Sequence, residues 1–129
     1  MKRDMDLIRE LLLKLEGLPI RRGGIVTISA DADEIAVPGY DAAQIEYHLK
    51  QIRDSGFIDE GGSRPAGGIG FRSLTPKGHD FLDSVRDPKI WAKTKGGALD
   101  AGGFTVDLLK DLAKGFVKQQ IEERTGVKL

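Results

Sequence analysis

Cysteine is absent from the 129 residues. Its absence excludes disulfides, thiol nucleophiles and cysteine-ligated zinc together, and leaves packing as the source of stability. Long apolar runs are missing too. Nothing approaches the roughly 20 consecutive apolar residues that span a bilayer, so no membrane contact is expected. The opening Met1-Lys2-Arg3-Asp4-Met5-Asp6 mixes acids with bases and lacks the apolar segment of a secretory signal, and a cytoplasmic protein is the expectation. Neither sign of charge is in excess: 20 basic and 20 acidic side chains cancel, which argues against holding nucleic acid by bulk electrostatics.

Groups suited to chemistry are few. His48 and His79 lie in different helical segments, and no acidic partner recurs beside both at a metal-ligand spacing. Ser63, Ser73 and Ser84 lack the glycine-flanked turn of an activated nucleophile. The glycine-rich stretch after Glu60 has no Gly-Lys-Ser or Gly-Lys-Thr and sits between two strand-like runs, whereas a phosphate loop needs a strand feeding a helix. The expectation is a non-enzyme with no metal site, no cofactor and no identifiable small-molecule ligand, each histidine lying at a core boundary and donating to a backbone carbonyl.

What is present is periodicity. Leu7, Ile8, Leu11, Leu12 and Leu15 follow the three-and-four spacing of one buried helical stripe, with Asp4 and Asp6 at the start and Gly17 and Pro19 as the stop. Ile25-Val26-Thr27-Ile28 and Glu34-Ile35-Ala36-Val37 are β-prone runs for which a small hairpin is expected, a short helical turn from Ala30 to Ile35 being the alternative. Asp41 suits the cap of a helix over residues 41–55 that buries Ile45, Leu49 and Ile52. Gly56 then ends that helix and turns Phe57 and Ile58 into a strand, which a glycine-rich tip, taken as mobile, joins to Phe71-Arg72-Ser73-Leu74. Thr75 and Pro76 open another helix, with Phe81, Leu82 and Val85 on its buried side.

Helix, strand, tip, strand, helix is the winged-helix order. The fold class predicted is therefore α+β: a winged helix-turn-helix-like domain with a small β-hairpin wing and an added C-terminal amphipathic helix. The boundaries predicted are a domain over 1–95, a glycine-rich linker over 96–103 and a helix over 104–129. On the last helix, Leu108, Leu109, Leu112, Ala113, Phe116, Val117 and Ile121 form a broad apolar face, expected to pack on its own domain or build a homodimer.

A winged unit presents a helix and a hairpin on one side, able to straddle a nucleic-acid groove. The candidate nucleic-acid-binding residues are Gln44, Tyr47, Lys50 and Gln51 on the helix and Arg64 and Arg72 on the wing. Charge is uneven along the chain, with 8 Lys/Arg against 12 Asp/Glu over residues 1–60 and 12 against 8 over 61–129. Double-stranded DNA is the expected partner of a small regulatory protein. A protein-protein interaction module on the same scaffold is the alternative, favoured by overall neutrality.

The residues around the tip resemble wider winged-helix regulators of the multiple-antibiotic-resistance and phenolic-acid-repressor types, in which a helix ending in His-Leu and a Gly-Phe-Ile-like step precede the wing and Leu-Thr-x-x-Gly follows it. More narrowly, Gly39-Tyr40, Tyr47-His48-Leu49, Gly56-Phe57-Ile58, Leu74-Thr75-Pro76-Lys77-Gly78-His79-Asp80-Phe81-Leu82-Asp83 and Arg86-Asp87-Pro88-Lys89-Ile90-Trp91 are similar to an uncharacterised family of bacterial and prophage proteins, a domain of unknown function. That resemblance covers nearly the whole chain and implies no reaction, ligand or catalytic residue.

Overall fold

Asp4 opens the first helix, α1 (Met5–Glu16), by accepting from the amides of Asp6 and Leu7 at 2.9 and 3.3 Å, which satisfies two donors that have no partner inside the helix. The computed structural model describes residues 1–100 and 105–129 and, at Asp100, the backbone alone. Among them, strand β1 (Val26–Ile28), a 3-10 turn (Asp33–Ile35), α2 (Ala42–Asp54), β2 (Ile58–Asp59), β3 (Ile69–Phe71), β4 (Ser73–Leu74), α3 (Pro76–Val85), α4 (Pro88–Asp100) and α5 (Val106–Thr125) follow α1. The architecture is α+β, and the chain divides inside α3 into two units, Met1–Asp80 and Phe81–Leu129.

In the first unit the predicted stripe of α1 is fully buried, and α1 packs on α2, whose Ile45, Leu49 and Ile52 are buried in turn. Burying a side chain of this size contributes about 1.5–3 kcal/mol. The hairpin expected within residues 25–37 does not form. Its second run supplies the 3-10 turn, which buries Ile35, and the partner of β1 is instead β3, antiparallel, with Val26 opposite Phe71 and Ile28 opposite Ile69. Asp33 and Glu34 favour a helical turn over a strand, and β3 supplies a buried strand for β1 to pair with.

The ribbon expected on either side of the tip does form. β2 pairs antiparallel with β4, Ile58 opposite Leu74, and the flanking bonds Thr75 N–H to Phe57 O (3.0 Å) and Arg72 N–H to Asp59 O (2.8 Å) extend the ladder at both ends. The tip is not an open loop of spare glycine. Gly61, Gly62 and Gly68 have positive φ, and at Gly70 a Cβ would strike the carbonyls of Glu60 and Ser63.

In the second unit α4 and α5 pack on each other, burying Ile90, Trp91, Thr94 and Ala98 on one helix and Leu109 and Ala113 on the other. The predicted linker is corrected at its start: α4 runs through Gly96 and Gly97 to Asp100, and residues 101–103 lie outside those described. Two glycines disfavour a helix by about 1 kcal/mol each. Burial of Ile90, Trp91, Thr94 and Ala98 on the same helix outweighs that cost. The chain's division also falls in α3 rather than at residue 95. Thr105 caps α5 through the Leu108 amide, and Gly126, with φ 73°, ends it.

One glycine inverts the usual helix preference. Alanine is favoured over glycine in a helix by about 1 kcal/mol, yet a Cβ at Gly78 would run into the main-chain carbonyl of Phe57. We predict that Gly78→Ala destabilises the fold by about 1–3 kcal/mol, measured by urea unfolding. A stabilised variant would show that α3 does not sit directly on the Phe57 backbone.

Candidate binding face of α2 and the ribbon

The face nominated for nucleic acid is built on α2. Asp41 accepts from the Gln44 amide at 2.8 Å while the Gln44 side-chain carbonyl accepts from the Asp41 amide at 2.9 Å, a reciprocal capping box. That bond occupies the carboxamide oxygen of Gln44. Tyr47 is half-buried and meets the ring of His48 edge-on, centroids 5.3 Å apart at 74°. Lys50 pairs with Glu46 at 3.5 Å. Gln51, seven residues on from Gln44 and so on the same helical face, is half-buried.

The ribbon adds two arginines, each facing a carboxylate. Arg64, 66% exposed, reaches Glu60 through Nε (3.0 Å) and Nη2 (3.2 Å), and Arg72 lies 3.5 Å from Asp59. Arg53, near the end of α2, touches Asp54 at 3.0 Å and approaches Glu60 at 3.9 Å, so the end of α2 and the start of the tip share one carboxylate. The structure thus gathers Arg53, Glu60 and Arg64, while Gln44 lies about 10 Å along the helix from Gln51. Five carboxylates (Asp41, Glu46, Asp54, Asp59, Glu60) stand on α2 and the ribbon against four cations (Lys50, Arg53, Arg64, Arg72). Exposed pairs contribute only about 0–1 kcal/mol each; their chief effect here is that no cation on this face stands without a nearby carboxylate.

A second cluster emerges that the sequence reading did not assemble. Tyr40 Oη donates to Asp4 Oδ2 at 2.6 Å, the Asp4 amide donates to His48 Nε2 at 2.8 Å, and His48 Nδ1 lies 2.7 Å from the Gln44 carbonyl. With Nε2 accepting, the proton must sit on Nδ1, so the imidazole is neutral and donates to that carbonyl. His48 is 2% exposed. It ties the start of α1 to the first turn of α2, and the backbone-carbonyl role expected of it holds. Gly39-Tyr40 and Tyr47-His48 stood out as motifs and Asp4 as a helix start, but nothing local links Asp4 to partners 36 and 44 residues away. His79 is half exposed, with Nδ1 3.8 Å from Glu16, a pair that forms only when the ring is protonated. Among the described residues no group of three or more His, Asp or Glu could hold a metal ion, and no helix is long and apolar enough to cross a membrane.

These features define a small α+β protein whose motif residues, Tyr40, His48, Thr75 and Gly78, hold elements together. The chain belongs to the family described as hypothetical protein (DUF2513), whose profile matches residues 2–104. An uncharacterized protein of Haemophilus influenzae (strain ATCC 51907 / DSM 11121 / KW20 / Rd) is 32% identical over 127 residues, spanning 94% of this chain and 99% of the relative, so the similarity continues past residue 104 into α5. No solved structure matches the chain.

The bond to Asp4, burial and the charges of Asp4, Asp6 and Glu10 push the Tyr40 phenol up from 10.0 to about 12. The folded state thus favours the neutral phenol. Its contribution to stability is present below pH 10.0 and is lost as pH rises through about 12. A phenolate absorbance titration should show a component near pH 12 that Tyr40→Phe removes. A Tyr40 ionising at its ordinary value would contradict the bond to Asp4.

Proposed function

We propose that this chain is a non-catalytic binding protein on a winged-helix-like scaffold, and that the face formed by α2 and the ribbon holds a protein of mixed charge rather than duplex DNA. The scaffold reading is supported by the order α1, β1, short helical turn, α2, β2 and returning strand, with β1 paired to the returning strand and the ribbon against α2. One observation carries the choice of partner. Lys50, Arg53, Arg64 and Arg72 each face a carboxylate, which leaves this face negative by one charge. Duplex affinity rests mainly on cations that replace phosphate counterions, and here protein carboxylates stand where phosphates would.

DNA binding by a small bacterial or prophage regulator is the second reading, favoured by the seven-residue spacing of Gln44 and Gln51 beside a ribbon that carries Arg64 and Arg72. On either reading α5 is the element for a homodimer. Val117 and Ile121 sit one turn apart, and Ile121 is 41% exposed. Light scattering should give twice the chain mass, falling to one chain in Val117→Lys/Ile121→Lys; an unchanged single-chain mass in both would remove α5 from any assembly role.

Duplex binding across a salt series separates the two readings. The full chain is expected to show no salt-dependent affinity, and the variant Glu46→Gln/Asp54→Asn/Glu60→Gln, which frees Lys50, Arg53 and Arg64, is expected to gain it. Salt-dependent binding by the natural chain, lost on Arg64→Gln or Arg72→Gln, would establish DNA as the partner.

A further inference from the structure

The cations of the Phe81–Leu129 unit are placed differently. Where α4 and α5 face each other they leave a cleft of about 200 Å³ whose rim carries Lys89 and Lys93 from α4 and Arg124 from α5. Among the described residues none of these three side chains has an ion-pair or hydrogen-bond partner. Lys89 and Lys93, four apart on one helix face, repel each other, and a single carboxylate, Glu123, lines the same cleft. The local balance is therefore plus two. The start of α4 is not what attracts an anion, because Asp87 Oδ1 already accepts from the Lys89 and Ile90 amides at 2.7 and 3.4 Å.

We propose that this cleft binds a small phosphate monoester. The ester's phosphate carries a charge of about −1.5 to −2 near neutral pH, which matches the uncompensated charge on the rim. Three cations converging on one concave rim attract an anion more strongly than any one of them alone. Ile90 and Phe116 give the organic portion an apolar contact, and Gln120, one turn before Arg124, supplies an amide for its polar atoms. The cleft is smaller than the roughly 300–1,000 Å³ of drug-sized sites, so the ligand is small. The assignment does not depend on the partner proposed for α2.

Calorimetry on the full chain with phenyl phosphate, inorganic phosphate as comparison, tests this directly. Phenyl phosphate should bind, and more tightly than inorganic phosphate. Lys93→Gln and Arg124→Gln should each weaken it about tenfold, the effect of losing one charge-assisted contact. Glu123→Gln should tighten it, and Lys118→Gln, outside the cleft on α5, should leave it unchanged. Thermal melts establish that each variant is folded, and amide-shift mapping on the unmutated chain locates the ligand without any substitution. Absence of binding, equal affinity for the two phosphates, equal weakening by Lys118→Gln, or shifts confined to residues outside the cleft would each overturn the proposal.

Discussion

Residues 69–74 form two short strands joined by a bend at Arg72, and two partners use them in turn. The first, β3, is held by β1 and the second, β4, by β2, and Arg72 between them donates its amide to Asp59. A run with both strands engaged must approach its neighbours closely, and the tip glycines answer that demand. At Gly68 a side chain would collide with the Ile28 carbonyl, and at Gly70 with two carbonyls of the tip. The run ends at Thr75, whose amide donates to Phe57, whose hydroxyl donates to Gly56 at 2.6 Å, and whose same oxygen caps α3 by accepting from Gly78. One residue thus closes the ribbon, secures the end of α2 and starts the next helix.

The other fixed point of the first unit is polar. Asp4 does three things at once: it caps α1, accepts from Tyr40 and donates its amide to His48. Buried polar groups are costly unless paired, and among the described residues every buried side-chain nitrogen and oxygen has a partner. The same satisfaction extends to the surface of α2 and the ribbon, where cations and carboxylates alternate. The pairs are individually weak, so their number matters less than the sum of charge. A nearly neutral face discriminates by shape and by the pattern of charges rather than by net charge.

The helices and their faces were readable because periodicity and capping are local. The α1 stripe, Asp41 as a cap, Gly56 as a left-handed stop and Thr75-Pro76 as a helix start all depend on residues within one or two turns. The pairing of β1 was not readable, since a three-residue strand carries little pattern and its partner lies more than 40 residues on. Gly96 and Gly97 misled for the opposite reason: a local signal for a break was overridden by the packing of α4 on α5. Of the candidate site, the residue types were visible in the sequence, but only part of their pairing was. Lys50 with Glu46 and Arg64 with Glu60 fit four-residue spacings, whereas Arg72 with Asp59 depends on ribbon register and Arg53 with Glu60 on how α2 meets the tip.

Native-state hydrogen exchange of the Arg72 and Thr75 amides tests the shared run most directly. Both donate across the ribbon to Asp59 and Phe57, so they should exchange only with global unfolding of the first unit, at the same free energy as the amides of the β1–β3 ladder. Rapid exchange at Arg72 and Thr75 while β1 and β3 stay protected would show that the ribbon opens by itself, and that residues 69–74 do not join the two strand pairs.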